Sequence, residues 1–396
     1  MSAIQVLRGI RVVEQGTFIT GPCAGMMLAD LGADVIKIES PGGDPYRSYQ
    51  GELYSPHFQA YNRNKRSIVC DLKKSADQEL FERLVAEADV YLQNFRPGTA
   101  EKLGAGPDRL RALNPRLVYC SISGFGANGP YAERPSYDSV AQALSGFLSV
   151  VVDPERPRFL GPALADAITG IYAAYGVLGA LFERSQTGRG SLVEVSMLEA
   201  MAHFAVEPFA AFFALGEAPK STDRPRLAQA YILRTSDHRL IAIHLSSLEK
   251  FWHGLTLALE ATHLNQDPRF GVRLARIENY EALGEVLDKL FRTRTLAEWT
   301  ERLSTHDVPF APINGIDSVV NDPQAHHLGL VVPVASAKEG GRYAVRPPLQ
   351  FNGQKATLVS AAPMLDEHGG EIRAALGKDQ HWPSSATPVN SRRAAG

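Results

Sequence analysis

The chain has 396 residues, 44% of them hydrophobic and 21% charged, with a net charge of -2. This is ordinary for a globular protein of two or three domains, and it supplies no global field toward nucleic acid or an anionic membrane. Cys23, Cys70 and Cys120 have neither paired nor metal-ligand spacing, so they read as reduced, mostly buried thiols of a cytoplasmic protein without a structural metal. No basic segment followed by an apolar one opens the chain, so no secretory signal is expected. The longest apolar stretches, 171–182 and 197–215, read as core helices. The first is too short to span a membrane, and the second is interrupted by Glu199, His203, Glu207 and Pro208.

In chain order, 10–14 is a short β-rich run. Gly16, Gly21 and Pro22 make a turn, 24–31 is a helix closed by Gly32, and 35–38 is a second strand. This βαβ unit suits a nucleotide-binding sheet or any other α/β fold. The glycines do not spell G-x-G-x-x-G, so a dinucleotide fingerprint is not met. A strand at 68–70 precedes a helix at 75–88, whose Leu80, Phe81, Leu84 and Val85 spacing is amphipathic. A strand at 89–93 leads into Asn94-Phe95-Arg96-Pro97-Gly98 at its C-terminal end, where α/β sheets bind ligands. Next come a strand at 117–122, a glycine-rich loop at 124–130, helices at 136–147 and 171–182, a strand at 192–195 and a long helix from Met197. The repeated β-loop-α order predicts a parallel sheet.

From about Pro219 the texture changes. Residues 231–235 and 239–244 form a hairpin around Ser236-Asp237-His238, and helices follow at 248–258, 280–291 and 296–306. The predicted class is therefore α/β. A large domain with a Rossmann-like parallel sheet occupies 1–205, a smaller α/β domain with its linkers occupies 206–325, and 326–396 returns to the first. The end, 381–396, rich in Ser, Pro and Arg, reads as a loose or surface-draped tail.

Asp166 is the most informative residue. It stands ahead of the small-residue helix at 171–182, where backbone N–H groups and the positive end of the dipole favour a carboxylate. One reading is a simple N-cap. The other is a nucleophilic carboxylate that forms covalent acyl intermediates. The basic residues Arg63, Lys65, Arg66, Lys73, Lys74, Arg96 and Lys102 lie on successive loops. They read either as solvated surface charge or, as a set, as a cradle for a phosphorylated ligand.

The segments Gly21-Pro22, 31–39 (LGADVIKIE), 64–68 (NKRSI), 94–98 (NFRPG), 123–126 with Gly129-Pro130, Tyr137-Asp138 and Gly188-Arg189-Gly190 occur in an informative order. In these the chain resembles the family III CoA-transferases, the group of formyl-CoA transferase and carnitine CoA-transferase, with the α-methylacyl-CoA racemases as siblings. The resemblance implies that Asp166 attacks an acyl-CoA thioester to give an acyl-aspartyl anhydride, then an aspartyl-CoA thioester. It implies that Thr17, Phe18 and Ile19 line the acyl end, and that Lys73, Asn94, Phe95, Lys102 and Leu103 contact the nucleotide and pantetheine. Ser40, Arg96 and Tyr137 complete the candidate CoA-binding set. It further implies acyl-CoA and a carboxylic acid as substrates and a homodimer of two interlinked rings.

Departures from the family refine this. Lys102 stands in place of an Arg, and Ser40 in place of an Arg near the adenine nucleotide, for which Arg47 or Arg96 is the expected substitute. The racemases carry His where this chain has Tyr137, a phenol that holds its proton too tightly to abstract an α-proton at neutral pH. Arg224-Pro225-Arg226-Leu227-Ala228 replaces a run of glycines that covers the site in formyl-CoA transferases, which argues against oxalate as acceptor. Arg226 reads as a partner for the carboxylate of a larger acid or as a surface residue. A racemase and a catalytically silent CoA-binding protein remain the alternatives. Gly124 and Gly126 are candidate N–H donors to an oxyanion.

Overall fold

The computed structural model describes residues 4–159, 161–246, 248–335, 342–379 and 382–383. The chain divides into two compact units. One comprises Met1–Phe147, Phe159–Val206 and Gln324–Gly396, the other Leu148–Arg158 and Glu207–Pro323.

The first unit is built on a six-stranded sheet. Its strands are β1 (Arg11–Gln15), β2 (Asp34–Glu39), β3 (Lys65–Val69), β4 (Val90–Gln93), β5 (Val118–Ser123) and β6 (Leu192–Ser196). Their order is β3-β2-β1-β4-β5-β6 and every neighbouring pair is parallel, as the β-loop-α order predicts. Alternation along the strands builds two cores. Val12, Val35, Val90 and Val118 face one layer, and Val13, Ile36, Tyr91 and Tyr119 the other. The first layer contains helix Thr20–Asp30 and the Asp166 helix. The second contains helix Ser75–Glu87 and the C-terminal helix Gly369–Asp379. Trp382 is buried in that second core, so the tail reading of 381–396 fails at this residue. The remainder of that stretch lies outside the described residues.

The Asp166 helix runs Leu164–Thr187, 24 residues, seven residues earlier than the sequence suggests at its start. By length and mean hydropathy, 1.4, it could cross a membrane. Its Ala173, Ala174, Val177 and Ala180 nevertheless sit in the core with Leu28 and Ala29, as in a core helix. The other apolar stretch is two helices, Met197–Phe204 and Val206–Leu215. The first buries Met197, Ala200 and Met201. No residue of the second is fully buried among the described residues, contrary to the core-helix reading.

The second unit has an antiparallel three-stranded sheet, β7 (Ala230–Arg234), β8 (Leu240–His244) and β9 (Phe310–Pro312). β9 is not apparent in the sequence, where Pro309 before it and Pro312 at its end look like loop punctuation. Its own core gathers Trp252, Phe291 and Trp299, with Tyr231 stacked on Tyr280 at 4.6 Å. The arginine-bearing segment is a helix, Asp223–Ala228. The buried Nε of Arg226 has no hydrogen-bond partner there.

Helices Thr20–Asp30 and Leu164–Thr187 approach closely at Gly170. A Cβ there would stand 2.6 Å from Cys23 Cβ and 2.9 Å from Thr20 O. Gly170→Val is expected to lower unfolding stability by about 2 kcal/mol or more through overpacking. Gly179→Ala, with nothing within 4 Å of its new Cβ, is expected to be neutral or stabilising. Urea denaturation of the two variants measures the contrast, and equal effects would contradict this packing.

Candidate active site

A cavity of about 740 Å³ opens at the C-terminal edge of the sheet. Its walls come from the segments after β1, β2, β4, β5 and β6, the edge at which parallel α/β sheets bind ligands. Of the residues singled out in the sequence, Thr17, Phe18, Ile19 and Asn94 line it. So do Phe95, Arg96, Tyr137 and Asp166. Ser40, Lys73, Lys102 and Leu103 are not on its walls. Lys73 and Lys102 are exposed, and no described residue forms an ion pair with either.

The rest of the proposed basic cradle is engaged elsewhere. Arg63 pairs with Asp30 at 2.6 Å, Arg66 with Asp34 at 2.7 Å and Lys65 with Glu14 at 2.6 Å. Arg63, Lys65 and Arg66 stand before or at the start of β3, the edge opposite the cavity. Arg47 cannot replace the missing Arg at Ser40. It is fully buried, forked onto Glu39 at 2.7 Å and stacked over Phe58 at 3.7 Å.

Asp166 occupies the first turn of its helix, and Ala163 precedes that turn without a capping side chain. The cap comes from Asp138. Its Oδ1 accepts from the N–H of Ala165 at 2.8 Å and of Asp166 at 3.3 Å, while Oδ2 accepts from Gln142 Nε2 at 2.7 Å. The cap reading therefore belongs to Asp138, which sequence reasoning passed over. Its signal is an Asp opening a helix with Gln at the i+4 position. No described residue donates to the Asp166 carboxylate, which is half-buried. Burial, and then the charge of Asp138, push its carboxyl up to about 7.

The β1 loop is pinned from two sides. Asn94 Oδ1 accepts from Thr17 N–H at 2.9 Å, and its Nδ2 donates to Thr17 O and to Thr20 Oγ1, both at 2.8 Å. Asn94 thus holds the loop, in addition to lining the cavity. Phe18 sits in the left-handed region at φ 59°, with its N–H donated to Asp44 Oδ1 at 3.1 Å. A strained non-glycine residue persists only where its surroundings over-determine it. The Phe18 ring meets Tyr137 edge-on at 6.3 Å and Tyr46 at 5.8 Å. Tyr46 and Tyr49, in the segment after β2, also stand on the wall. Gly124 lies on the wall, whereas the Gly126 N–H donates to Ser123 Oγ at 2.9 Å and is taken out of the oxyanion role.

Chemically, the site offers one raised carboxylate, unengaged by any described residue, in an aromatic-walled cavity, suited to nucleophilic attack on an electrophilic carbonyl. Among the described residues, no group of three or more His, Cys, Asp or Glu is placed to hold a metal.

Residues 7–369 match the family model described as CoA-transferase family III. The chain is similar to a succinate–glutarate CoA-transferase of Agrobacterium fabrum, 34% identical, covering 93% of this chain and 95% of that protein. It is 32% identical to an acetyl-CoA:oxalate CoA-transferase of Acetobacter aceti, covering 92% and 94% of the two chains. Among solved structures, a CAIB/BAIF family protein from Brucella suis superposes with a TM-score of 0.84 at 36% identity, covering 93% and 99%. The resemblance drawn from the sequence segments is thereby upheld.

The electrostatics give a signed expectation. A carboxyl raised in the fold disfavours its charged form, so its contribution to stability falls as pH rises from the ordinary carboxylate range through about 7. Asp166→Asn is therefore expected to raise Tm at pH 8 and change it little at pH 4. Asp138→Asn should shift the Asp166 midpoint down without restoring the ordinary range, because burial is the larger cause. An infrared titration with labelled aspartate measures both, and an Asp166 midpoint near 4 would contradict the reading.

Proposed function

The chain belongs to CoA-transferase family III, and on that premise we propose that it moves CoA from an acyl-CoA donor to a carboxylic acid through covalent intermediates on Asp166. The observation that carries this is the half-buried Asp166 carboxylate, raised to about 7 and without a hydrogen-bond donor among the described residues, on the wall of a cavity at the ligand-binding edge of the sheet.

The steps follow from carboxylate chemistry. Asp166 attacks the thioester carbonyl and expels CoA thiolate, leaving a mixed anhydride. The thiolate attacks the Asp166 carbonyl carbon of that anhydride and releases the donor acid, leaving an aspartyl-CoA thioester. The acceptor carboxylate attacks the same carbon and again expels the thiolate. The thiolate then attacks the acceptor acyl carbon, giving the new acyl-CoA and regenerating Asp166. A carboxylate is a weak nucleophile, so positioning and desolvation supply much of the rate. The fixed Phe18 loop and the Asp138-capped helix fit that need. Gly124 on the wall is the remaining backbone candidate for an oxyanion contact.

Lys73 and Lys102, exposed and without an ion pair among the described residues, suit the phosphates of the CoA nucleotide, with Phe95, Arg96 and Leu103 beside the pantetheine. Ser40 has lost the charge for that role. Racemisation is disfavoured, because it needs a second proton-transfer base and no histidine lines the described cavity. The helix Asp223–Ala228 in place of a glycine run supports an acceptor other than oxalate. Succinyl-CoA is the first donor to test, since a relative's name carries succinate. We place the enzyme in the cytoplasm, where three buried, unpaired cysteines are at home. An interlinked homodimer is supported by the exposed apolar residues Ile171, Tyr175 and Phe182 on the Asp166 helix and by the uncovered helix Val206–Leu215.

Incubation with succinyl-CoA followed by hydroxylamine trapping is expected to leave a hydroxamate on the peptide carrying Asp166. Asp166→Asn and Asp166→Ala should lose at least 1,000-fold in transfer while still binding CoA, as expected when a covalent nucleophile is removed. Transfer at wild-type rate in either variant would end the mechanism.

A further inference from the structure

We propose that Arg134 is a specificity-determining residue that holds the second carboxylate of a short aliphatic dicarboxylic substrate while the first reacts at Asp166; this rests on the transferase reading above.

Arg134 lines the same cavity as Asp138 and Asp166. Its N–H donates to Tyr131 O at 3.0 Å, closing a turn, and its guanidinium lies over the Tyr131 ring at 4.4 Å and near Phe125 at 6.0 Å. Stacking uses the face of the guanidinium and leaves its planar donor fork free, the geometry that matches a carboxylate. Arg47, Arg63 and Arg66, in the same unit, are each forked onto a carboxylate. No described carboxylate pairs with Arg134. Arg96 also lines the cavity, but no described aromatic ring lies under its guanidinium.

The charge of the cavity explains what such a group is for. Asp138 and Asp166 place two carboxyl groups on the wall, against one further cation among the described residues, Arg96. A substrate with a second carboxylate would be desolvated among like charges, which is costly without a counter-charge. A monocarboxylate meets no such cost. The reacting carboxylate loses its charge on attack, so a cation clamped on it would hold back the ground state. The remote carboxylate keeps its charge throughout, so a cation bound to it opposes no step. On the transferase reading above, Lys73 and Lys102, outside the cavity, are the cations proposed for the CoA phosphates, which leaves Arg134 for the acid.

The test compares acids of matched length, succinate with butyrate and glutarate with valerate, as acceptors for wild type, Arg134→Gln, Arg134→Lys and Arg226→Gln. The donor is acetyl-CoA, which has no second carboxylate, with succinyl-CoA run in parallel to establish transfer; the comparison of mono- with diacids is read with the acetyl-CoA donor. KM, kcat and inhibition by free CoA are read for each. Arg134→Gln is expected to raise KM for the two diacids about 10- to 100-fold, the range for a lost charge-assisted hydrogen bond. Butyrate, valerate and CoA inhibition should stay unchanged, and Arg134→Lys should recover part of the loss. Equal losses for mono- and diacids would overturn the proposal. So would weakened CoA inhibition, which would put Arg134 on a phosphate, or discrimination lost in Arg226→Gln instead. A wild type that transfers CoA but is indifferent to Arg134 overturns only this inference. A wild type that transfers CoA between no tested pair takes the transferase reading down with it.

Discussion

Glu14 is the buried charge on which the site depends. Fully enclosed at the end of β1, it pairs with Lys37 of β2 at 3.0 Å and Lys65 of β3 at 2.6 Å. Lys37 reaches onward to Gly16 O at 2.7 Å and to Asp44 at 3.0 Å. Asp44 in turn accepts from the N–H groups of Phe18 and Tyr46. Burial alone would weaken the Lys37 ammonium, but Glu14, Asp44 and Glu39 together raise its pKa above the ordinary value. A Cβ on Gly25 would run into the Glu14 carboxylate, so the helix above the sheet keeps a glycine there. Surface ion pairs contribute roughly 0–1 kcal/mol, whereas removing one partner of a buried pair costs about 3–5 kcal/mol. The network is therefore costly to break at any one member. It locks three strands and the Phe18 loop into one arrangement, and the cavity wall inherits that rigidity.

Asp166 is governed by the opposite logic. A helix N-terminus stabilises a nearby anion by about 0.3–1 kcal/mol. Here the first-turn N–H groups that would do so are already taken by Asp138. Burial and the Asp138 charge outweigh the dipole, so the carboxyl rises to about 7. The fold thus gives N–H groups of the first turn to Asp138, and no described residue donates to the Asp166 carboxylate. A carboxylate satisfied by donors would be a stable cap and a poor nucleophile. The same accounting accounts for Phe18, whose left-handed backbone is held by Asp44 rather than relaxed by a glycine.

Much of the first unit was legible in the sequence because its signals are local. Strand runs, the helix at Ser75–Glu87 and the loops at strand C-termini follow from periodicity and turn residues. Sequence also picked out the Thr17–Ile19 loop, Asn94 and Asp166. What escaped is non-local. The Asp166 helix begins at Leu164, yet its cap is Asp138, so nothing beside Ala163 marks the start. The basic loops looked like a phosphate cradle because their partners, Asp30, Asp34 and Glu14, lie on other elements. Arg47 looked free for the same reason, though Glu39 and Phe58 enclose it. Arg134 drew no notice in the sequence, since only the fold brings it to the cavity that holds Asp166.

The most direct measurement follows oxygen. Turnover with succinyl-CoA and an acceptor acid labelled with oxygen-18 in its carboxylate should transfer label into the Asp166 side chain, read by mass spectrometry of the peptide that carries it. One labelled oxygen is expected at Asp166 after a single turnover, rising toward two with repeated turnovers, because each second anhydride opens at the acceptor carbon. Label confined to the new acyl-CoA and the residual acid, with Asp166 unlabelled after many turnovers, would contradict covalent catalysis at this residue.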